Sequence, residues 1–114
     1  MKQGELWLVN LNPATGAEMQ KIRPALIVNV NGLGKLPLRI IVPVTDWKER
    51  YGNVPWMLKI VPSVTNGLNK ESAIDCFQVR YVAQERLIRK IGCITFDELE
   101  EIKSKIAAVI GYRY

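Results

Sequence analysis

The chain has 114 residues, 48% of them hydrophobic, which suits a single domain over residues 1–114 and excludes a disordered tail. The formal net charge of +5 favours an anionic partner such as nucleic acid, an acidic polypeptide or a membrane surface, although an ordinary soluble basic domain has the same charge. The chain contains no histidine, which excludes histidine-dependent nucleophile triads and the commonest zinc ligand.

Short apolar runs that end at turn signals predict five or six strands. In chain order, the predicted strands are Glu5–Leu11, Ala25–Val30, Leu38–Val44, Trp56–Val61, Ser72–Val82 and Ile88–Ile91. Asn31-Gly32 is typical of a hairpin turn. Pro43 predicts that the third strand lies at an edge or ends there, because proline donates no ladder hydrogen bond. Thr45–Pro55 and Pro62–Lys70 are predicted to be polar loops.

One helix is predicted near the end of the chain. Thr95-Phe96-Asp97-Glu98 has the pattern of a capping box, and Gly111 is expected to end the helix. The apolar residues between them recur at helical spacing: Leu99, Ile102, Ile106, Val109 and Ile110. Several short strands followed by one helix predict a mainly β fold, a small β-barrel with a C-terminal helix.

The two cysteines, Cys76 and Cys93, lie in apolar strand-like segments without CxxC spacing. We expect buried free thiols, as in a reducing cytosol. No signal-peptide pattern opens the chain, and no apolar run approaches the ~20 residues of a membrane span. These features predict a cytoplasmic protein that has no membrane partner.

Arg23 stands directly before Pro24, at the entry of the second predicted strand. Proline pushes the residue before it toward an extended conformation, so the strand would hold Arg23 while its side chain reaches solvent. A guanidinium there suits bidentate hydrogen bonding to a phosphate, and the alternative is a surface arginine that merely flanks a proline. Thr45, at the end of the third strand, is either a second phosphate donor or a simple strand-end cap.

Cleavage of RNA is compatible with a site that has phosphate-binding donors but no histidine, because the 2′-OH of RNA is itself the nucleophile. The protein then has to align the attack and stabilise the developing negative charge. Glu18 and Lys21 lie on the loop before Arg23, and Gln78 lies in the longest predicted strand, where it either faces RNA or satisfies backbone groups. Trp47, in a basic loop, is either a base-stacking platform or packed back on the domain.

These residues form part of an ordered set of motifs that resembles the MazF/PemK/Kid family of toxins from bacterial toxin–antitoxin pairs. The resemblance covers nearly the whole chain, and its specificity lies in the order of motifs that are weak individually. The motifs are Gly4-Glu5-Leu6-Trp7-Leu8-Val9, Asn12-Pro13, Gly16-x-Glu18, Lys21-x-Arg23-Pro24, Val42-Pro43-Val44-Thr45, Gly67-Leu68, Ser72, Gln78-Val79-Arg80, Arg86-Leu87 and Ile91-Gly92.

The resemblance implies an SH3-like β-barrel, a homodimer, and a sequence-specific endoribonuclease that needs no metal or other cofactor. Such an enzyme cuts single-stranded RNA to 2′,3′-cyclic phosphate and 5′-hydroxyl ends. Arg23 would clamp the scissile phosphate, and Thr45 would bind the same phosphate through its hydroxyl or backbone N–H. Glu18 matches the loop glutamate of the family and is the candidate base.

The histidine-based acid–base chemistry of the Kid-like branch does not transfer to this chain. The Kid-like branch has a histidine directly before the loop glutamate, where this chain has Ala17. Arg23 and Thr45 are therefore expected to carry catalysis with Glu18. The predicted RNA-binding residues are Lys21, Trp47, Ser72 and Gln78.

The resemblance also implies an antitoxin with an acidic disordered tail, which the positive charge of the chain would attract. Two other functions remain open for the same fold. One is a non-enzymatic poison of DNA gyrase like CcdB, whose activity depends on residues at the end of the C-terminal helix, here Tyr112-Arg113-Tyr114. The other is a module that binds RNA or antitoxin without catalysis.

Overall fold

Residues 1–112, which the computed structural model describes, form a curved antiparallel sheet with a helix packed against one face. The strands follow the order β4-β5-β3-β2-β1-β7, and β6 pairs with the first half of β3. The elements are β1 (Glu5–Asn10), β2 (Ile22–Ile27), β3 (Leu38–Asp46), β4 (Met57–Ile60), β5 (Ser72–Asp75), β6 (Arg80–Ala83), β7 (Leu87–Cys93) and α1 (Phe96–Val109).

Burial on both faces of the central strands explains why their apolar runs are unbroken. In β2, Ala25, Leu26 and Ile27 are all fully buried. Leu26 contributes to the core under α1, while its neighbours contribute to a second core on the opposite face, as side chains that alternate along a strand must. Ile102 anchors α1 to the first core. The two faces of the sheet are therefore occupied by apolar cores, and polar residues that could form a site lie at the ends of the strands.

The predicted mainly β fold with a C-terminal helix is confirmed, but the barrel is not closed. No ladder joins β7 to β4 within residues 1–112. The loop after β4 fills this position instead, and the backbone N–H of Cys93 donates to the carbonyl oxygen of Thr65 at 3.0 Å. Gly92 and Gly67 permit this close approach, because a side chain at either position would collide with backbone atoms.

The prediction of one continuous strand over Ser72–Val82 is wrong. The segment is divided into β5 and β6 by a 3-10 turn at Cys76–Gln78. The Asp75 carboxylate accepts a hydrogen bond from the backbone N–H of Phe77 at 3.1 Å, which stabilises the turn locally. The chain thereby moves from pairing with the end of β3 to pairing with its beginning.

Pro43 is compatible with a central strand, contrary to the prediction of an edge or terminus. The strand β3 continues to Asp46, and Pro43 pairs with Ala25 of β2. On its other side β3 pairs with β6 up to Ile41 and with β5 from Val44 onward. Pro43 lies in the gap between these two partners, where no ladder hydrogen bond is needed from it.

The other boundaries lie within two residues of the prediction, except that β2 is Ile22–Ile27 and not Ala25–Val30. Residues 28–37 form a longer loop between β2 and β3, so the predicted hairpin turn at Asn31-Gly32 is wrong. The capping box is present, since the Thr95 hydroxyl accepts from the backbone N–H of Glu98 and the Glu98 carboxylate accepts from that of Thr95. Both cysteines are free as expected, but only Cys76 is buried, whereas Cys93 is half-buried. Burial raises the pKa of the Cys76 thiol to about 12. Within residues 1–112 no helix is long and apolar enough to span a membrane.

A carboxylate on β1 is expected to make the fold sensitive to acid. Partial burial pushes the pKa of the Glu5 carboxyl upward, but hydrogen bonds from the Lys2 backbone N–H, the Trp7 indole and Lys90 outweigh this effect. The pKa falls from 4.5 to about 2. Because the folded pKa lies below the unfolded one, this stabilisation is complete above pH 4.5 and is lost as the pH falls toward 2.

The Glu5→Gln variant should lose this pH dependence. We expect the difference in unfolding free energy between the wild type and the variant to be largest near neutral pH and to shrink between pH 4.5 and 2. Urea titrations at a series of pH values measure it. Glu49→Gln, on an exposed 3-10 turn, is the matched control. A constant difference across this range would contradict the assigned network.

Candidate active site

Arg23 and Thr45 converge because of the register between β2 and β3. Ala25 pairs with Pro43 in these antiparallel strands, so residues two positions outward, Arg23 and Thr45, lie opposite each other. The Nη1 atom of Arg23 donates to the Thr45 hydroxyl oxygen at 3.3 Å, and its Nε atom donates to the carbonyl of Gln20 at 3.0 Å. These contacts orient the guanidinium on a rigid strand pair, with further N–H groups free for a ligand.

The two side chains open onto a groove of about 490 Å³. Its floor follows a row of cross-strand neighbours, because Leu8 of β1 pairs with both Pro24 of β2 and Arg89 of β7. The loop between β4 and β5 forms the facing wall. The other lining residues are Ile22, Arg23, Val44, Thr45, Asp46, Gly67, Leu68, Asn69, Lys70, Ser72 and Ile91.

The groove is predominantly cationic. Arg23, Lys70 and Arg89 line it, and Asp46 is the carboxylate among the lining residues. The Lys70 Nζ atom lies 3.1 Å from the Asp46 carboxylate, and both side chains are mostly exposed. Sequence reasoning missed Arg89 and Lys70, because their proximity to Arg23 depends on strand register and loop packing. The excess of positive charge makes the groove suitable for a polyanion.

Ser72 is the other predicted site residue that lines this groove. Its side chain is buried, and its hydroxyl donates to the carbonyl oxygen of Lys70 at 2.9 Å. This contact holds the loop that carries Lys70 against the start of β5. Contact between Ser72 and RNA stays a prediction.

Glu18 and Gln78 line a second groove, of about 390 Å³, and not the groove of Arg23. The Glu18 carboxylate accepts from the backbone N–H of Thr15 at 2.6 Å and is exposed. The Gln78 amide oxygen accepts from the backbone N–H of Met19 at 2.7 Å, and its nitrogen donates to the Asp75 carboxylate at 3.2 Å. Gln78 therefore fastens the loop that carries Glu18.

Lys21 and Trp47 do not line either groove. Lys21 is exposed and has a positive φ of 72°, and its backbone N–H donates to the Asn12 side chain at 2.9 Å. The Trp47 ring contacts Tyr51 edge to face at 5.9 Å, and Lys59 Nζ lies 5.2 Å from its centroid. Trp47 is thus packed against its neighbours in this conformation, and base stacking by it stays a prediction.

Two arginines outside the first groove hold the loop before β2. Arg86 donates to the carbonyl oxygens of Asn10, at 3.2 Å, and Asn12. Arg80 donates to the carbonyl oxygen of Leu11 at 3.5 Å. Their guanidinium groups are thus engaged in structural contacts. Among residues 1–112 no three histidine, cysteine, aspartate or glutamate side chains cluster as metal ligands would.

Comparison with known proteins gives consistent results for the whole chain. A family profile described as the PemK-like, MazF-like toxin of type II toxin–antitoxin systems matches residues 2–110. The chain is 32% identical over 108 residues to the endoribonuclease MazF9 of Mycobacterium tuberculosis, covering 90% of this chain and 89% of that protein. It is 26% identical over 111 residues to the endoribonuclease MazF of Staphylococcus saprophyticus, covering 97% and 92%.

Solved structures agree in fold. The MazF crystal structure from Deinococcus radiodurans superposes with a TM-score of 0.78 at 22% identity, covering 97% of this chain and 96% of that one. An endoribonuclease in complex with its cognate antitoxin, from a mycobacterial species, superposes with a TM-score of 0.78 at 16% identity, covering 100% and 98%. At these identities the superpositions establish the fold.

Proposed function

Because the chain belongs to the PemK/MazF family of type II toxins, we propose that it is an endoribonuclease toxin acting on single-stranded RNA. The observation that carries the proposal is the convergence of Arg23 and Thr45, 3.3 Å apart, at one end of a cationic groove. The relatives at 32% and 26% identity are named endoribonucleases, which favours this function over a gyrase poison or a silent binding module.

The proposed reaction is an internal transfer at phosphorus. The 2′-oxygen of RNA forms a bond to the adjacent phosphorus while the bond from phosphorus to the 5′-oxygen breaks. The proton of the 2′-OH passes to a base, and the leaving 5′-oxygen acquires a proton, which gives a 2′,3′-cyclic phosphate and a 5′-hydroxyl. No oxygen atom from water enters these products.

Arg23 supplies the charge stabilisation in this step. A guanidinium is always protonated in proteins, so it acts on the phosphate by charge and hydrogen bonding and does not accept a proton. The Thr45 hydroxyl, which accepts from Arg23, has its own proton free to donate to the same phosphate. Both donors are held in place before substrate binds, which is where preorganised groups are most effective.

Glu18 is the proposed base. It is the carboxylate in the matched loop motif, and that loop leads directly into Arg23. Its carboxylate is exposed and accepts a hydrogen bond from the backbone N–H of Thr15, and it lines a different groove from Arg23, so the base role requires its loop to move toward Arg23 when RNA binds. Lys21, Trp47, Ser72 and Gln78 remain proposed RNA contacts, of which Ser72 lines the groove.

RNA cleavage in the presence of EDTA tests the function. We expect the protein to cut a long RNA of defined sequence into discrete fragments that end in a cyclic phosphate, and mapping the 5′ ends of these fragments gives the recognised sequence. Absence of cleavage, together with stabilisation of gyrase–DNA cleavage complexes, would support the gyrase-poison alternative. Arg113 and Tyr114, which that alternative invokes with Tyr112, lie outside the described residues.

We also propose a homodimer that buries an apolar face beside α1. A groove of about 430 Å³ there has an almost entirely apolar lining, and two of the side chains that line it, Ile40 and Ile110, are 44% and 73% exposed. The other lining residues are Val28, Val79, Lys103, Ile106, Ala107 and Tyr112. An exposed apolar surface of this kind is typical of an interface, and the family resemblance favours a second copy of the chain as the partner.

A charged substitution on the apolar face tests the proposed dimer. Ile110→Asp should shift the protein to a monomer in sedimentation velocity, because each copy would bury an unpaired carboxylate in the interface. The matched control is Val64→Asp, which also replaces a β-branched apolar side chain by a carboxylate, but at a fully exposed loop position elsewhere. A wild-type monomer, or equal effects of both variants, would contradict the proposal.

The proposed protein partner is an acidic antitoxin in the cytoplasm, where the RNA substrate is found. One solved structure with the same fold is an endoribonuclease in complex with its cognate antitoxin. The net charge of +5 would attract an acidic segment, so binding should weaken as salt is raised.

A further inference from the structure

We propose that Arg89 binds the RNA phosphate next to the scissile one and so positions the RNA along the groove. The inference rests on the proposed function, and it assigns a residue outside the catalytic pair. Arg89 belongs to β7, whereas Arg23 and Thr45 belong to β2 and β3. The groove therefore carries cations on both sides of its floor.

The register of the sheet directs Arg89 into the groove. Arg89 pairs with Leu8, which in turn pairs with Pro24, so the three residues form one row on the same face. Two strand spacings separate the backbones of Arg89 and Pro24, which is about 10 Å. Ile91, two residues further along β7, also lines the groove, while Lys90 between them pairs with Glu5.

Arg89 differs from the other arginines of residues 1–112 in having no protein partner. The remaining guanidinium groups donate to protein oxygens or contact an aromatic ring: Arg23, Arg39, Arg50, Arg80 and Arg86. Lys70, the lysine that lines the groove, is paired with Asp46. Arg89 is exposed on an otherwise mostly apolar row, and no carboxylate lies within salt-bridge distance of it.

A free guanidinium at this position fits a phosphate of the substrate backbone. When the scissile phosphate of an RNA lies at Arg23 and Thr45, the RNA runs along the groove. The guanidinium of Arg89 can then donate hydrogen bonds to the neighbouring phosphate of the same RNA. Such a contact is equally strong in the ground state and in the transition state. It should therefore lower KM and leave kcat unchanged.

The test compares Arg89→Ala with Arg89→Lys on an RNA oligonucleotide that spans a mapped cleavage site. We expect Arg89→Ala to raise KM about 5- to 30-fold with kcat within twofold of wild type. Arg89→Lys should restore most of the affinity because it keeps the charge. Lys35→Ala is the charge-matched control, since Lys35 precedes β3 at the end opposite to Thr45. It should leave both constants unchanged.

Binding measurements separate this inference from the catalytic one. A fluorescein-labelled oligonucleotide with a 2′-deoxy nucleotide at the cleavage site binds but has no nucleophile. Its log Kd against log salt should lose about 0.7 of slope in Arg89→Ala, the contribution of one phosphate on a single strand, and nothing in Lys35→Ala. If the wild type cleaves RNA while Arg89→Ala keeps the wild-type KM and slope, the Arg89 inference is overturned. If the wild type cleaves no RNA, the proposed function is overturned first.

Discussion

Replacement of Arg23 by alanine should reduce kcat for RNA cleavage by about 10²- to 10³-fold, the usual effect of removing one preorganised transition-state donor. The loss should appear in kcat more than in KM, because the guanidinium interacts most strongly with the phosphate in the transition state, where additional negative charge develops on the phosphate oxygens. Single-turnover cleavage, with the enzyme in excess over the RNA and at a saturating concentration, measures this effect. Arg23 is half-buried, and its side chain donates hydrogen bonds to the Gln20 carbonyl and the Thr45 hydroxyl, neither of which belongs to the core, so the fold should persist.

Two further variants separate charge from geometry in that result. Arg23→Lys keeps the charge but loses the planar pair of donors, so we expect an intermediate loss. Arg39→Ala removes one arginine from the beginning of β3, far from Thr45, where its guanidinium contacts the carbonyls of Leu36 and Leu38. It should cleave RNA at a rate close to the wild type. Equal rates for Arg23→Ala and Arg39→Ala would show that the groove is not the catalytic centre.

Alanine at position 92 should destabilise the protein by about 1–3 kcal/mol, through overpacking. A Cβ atom on Gly92 would lie 2.4 Å from the carbonyl oxygen of Thr65 and 2.6 Å from backbone atoms of Asn66. Because these are backbone atoms, the whole loop after β4 would have to move. The same loop continues into Gly67 and Lys70, which line the groove. We therefore expect a rise in KM for RNA together with a lower urea midpoint.

Gly52→Ala is the matched control for this prediction. No heavy atom lies within 4 Å of the position of a Cβ there, so the change should be neutral or stabilising by up to about 1 kcal/mol, because alanine restricts the unfolded chain. Asn66 gives the reason why the loop resists movement. Its side chain accepts from the backbone N–H groups of Ser63 and Leu68 and donates to the carbonyl of Val61. A Gly92→Ala protein as stable as Gly52→Ala would contradict this packing.

Local signals were sufficient for the helix and for most strands. The capping box at Thr95–Glu98 acts within four residues, and the spacing of Leu99, Ile102 and Ile106 identifies the buried face of α1. The unbroken apolar run after Pro24 identifies the second strand, but its bounds differ by three residues, because β2 already begins at Ile22, before the proline. Pairing of Arg23 with Thr45 was likewise anticipated from motifs at two strand ends.

Other features depended on contacts that no local pattern contains. The division of Ser72–Val82 follows from the Asp75 carboxylate and from a change of partner along β3. The open sheet follows from packing of the Thr65–Gly67 loop against β7. Glu18, the predicted base, lies on a loop that Gln78 holds against a different groove from that of Arg23.

The amino-acid sequence alone determined the helix, most of the strands and the family, and it indicated Arg23 and Thr45 as the proposed catalytic pair, because capping, apolar periodicity and ordered motifs act over short stretches of chain. Only the tertiary structure decided which cations share the groove and how the sheet ends. Arg89 and Lys70 reach Arg23 through strand register and loop packing between segments more than 40 residues apart. Such register is a collective property of the folded sheet, in which a shift by one residue would turn Arg89 to the opposite face.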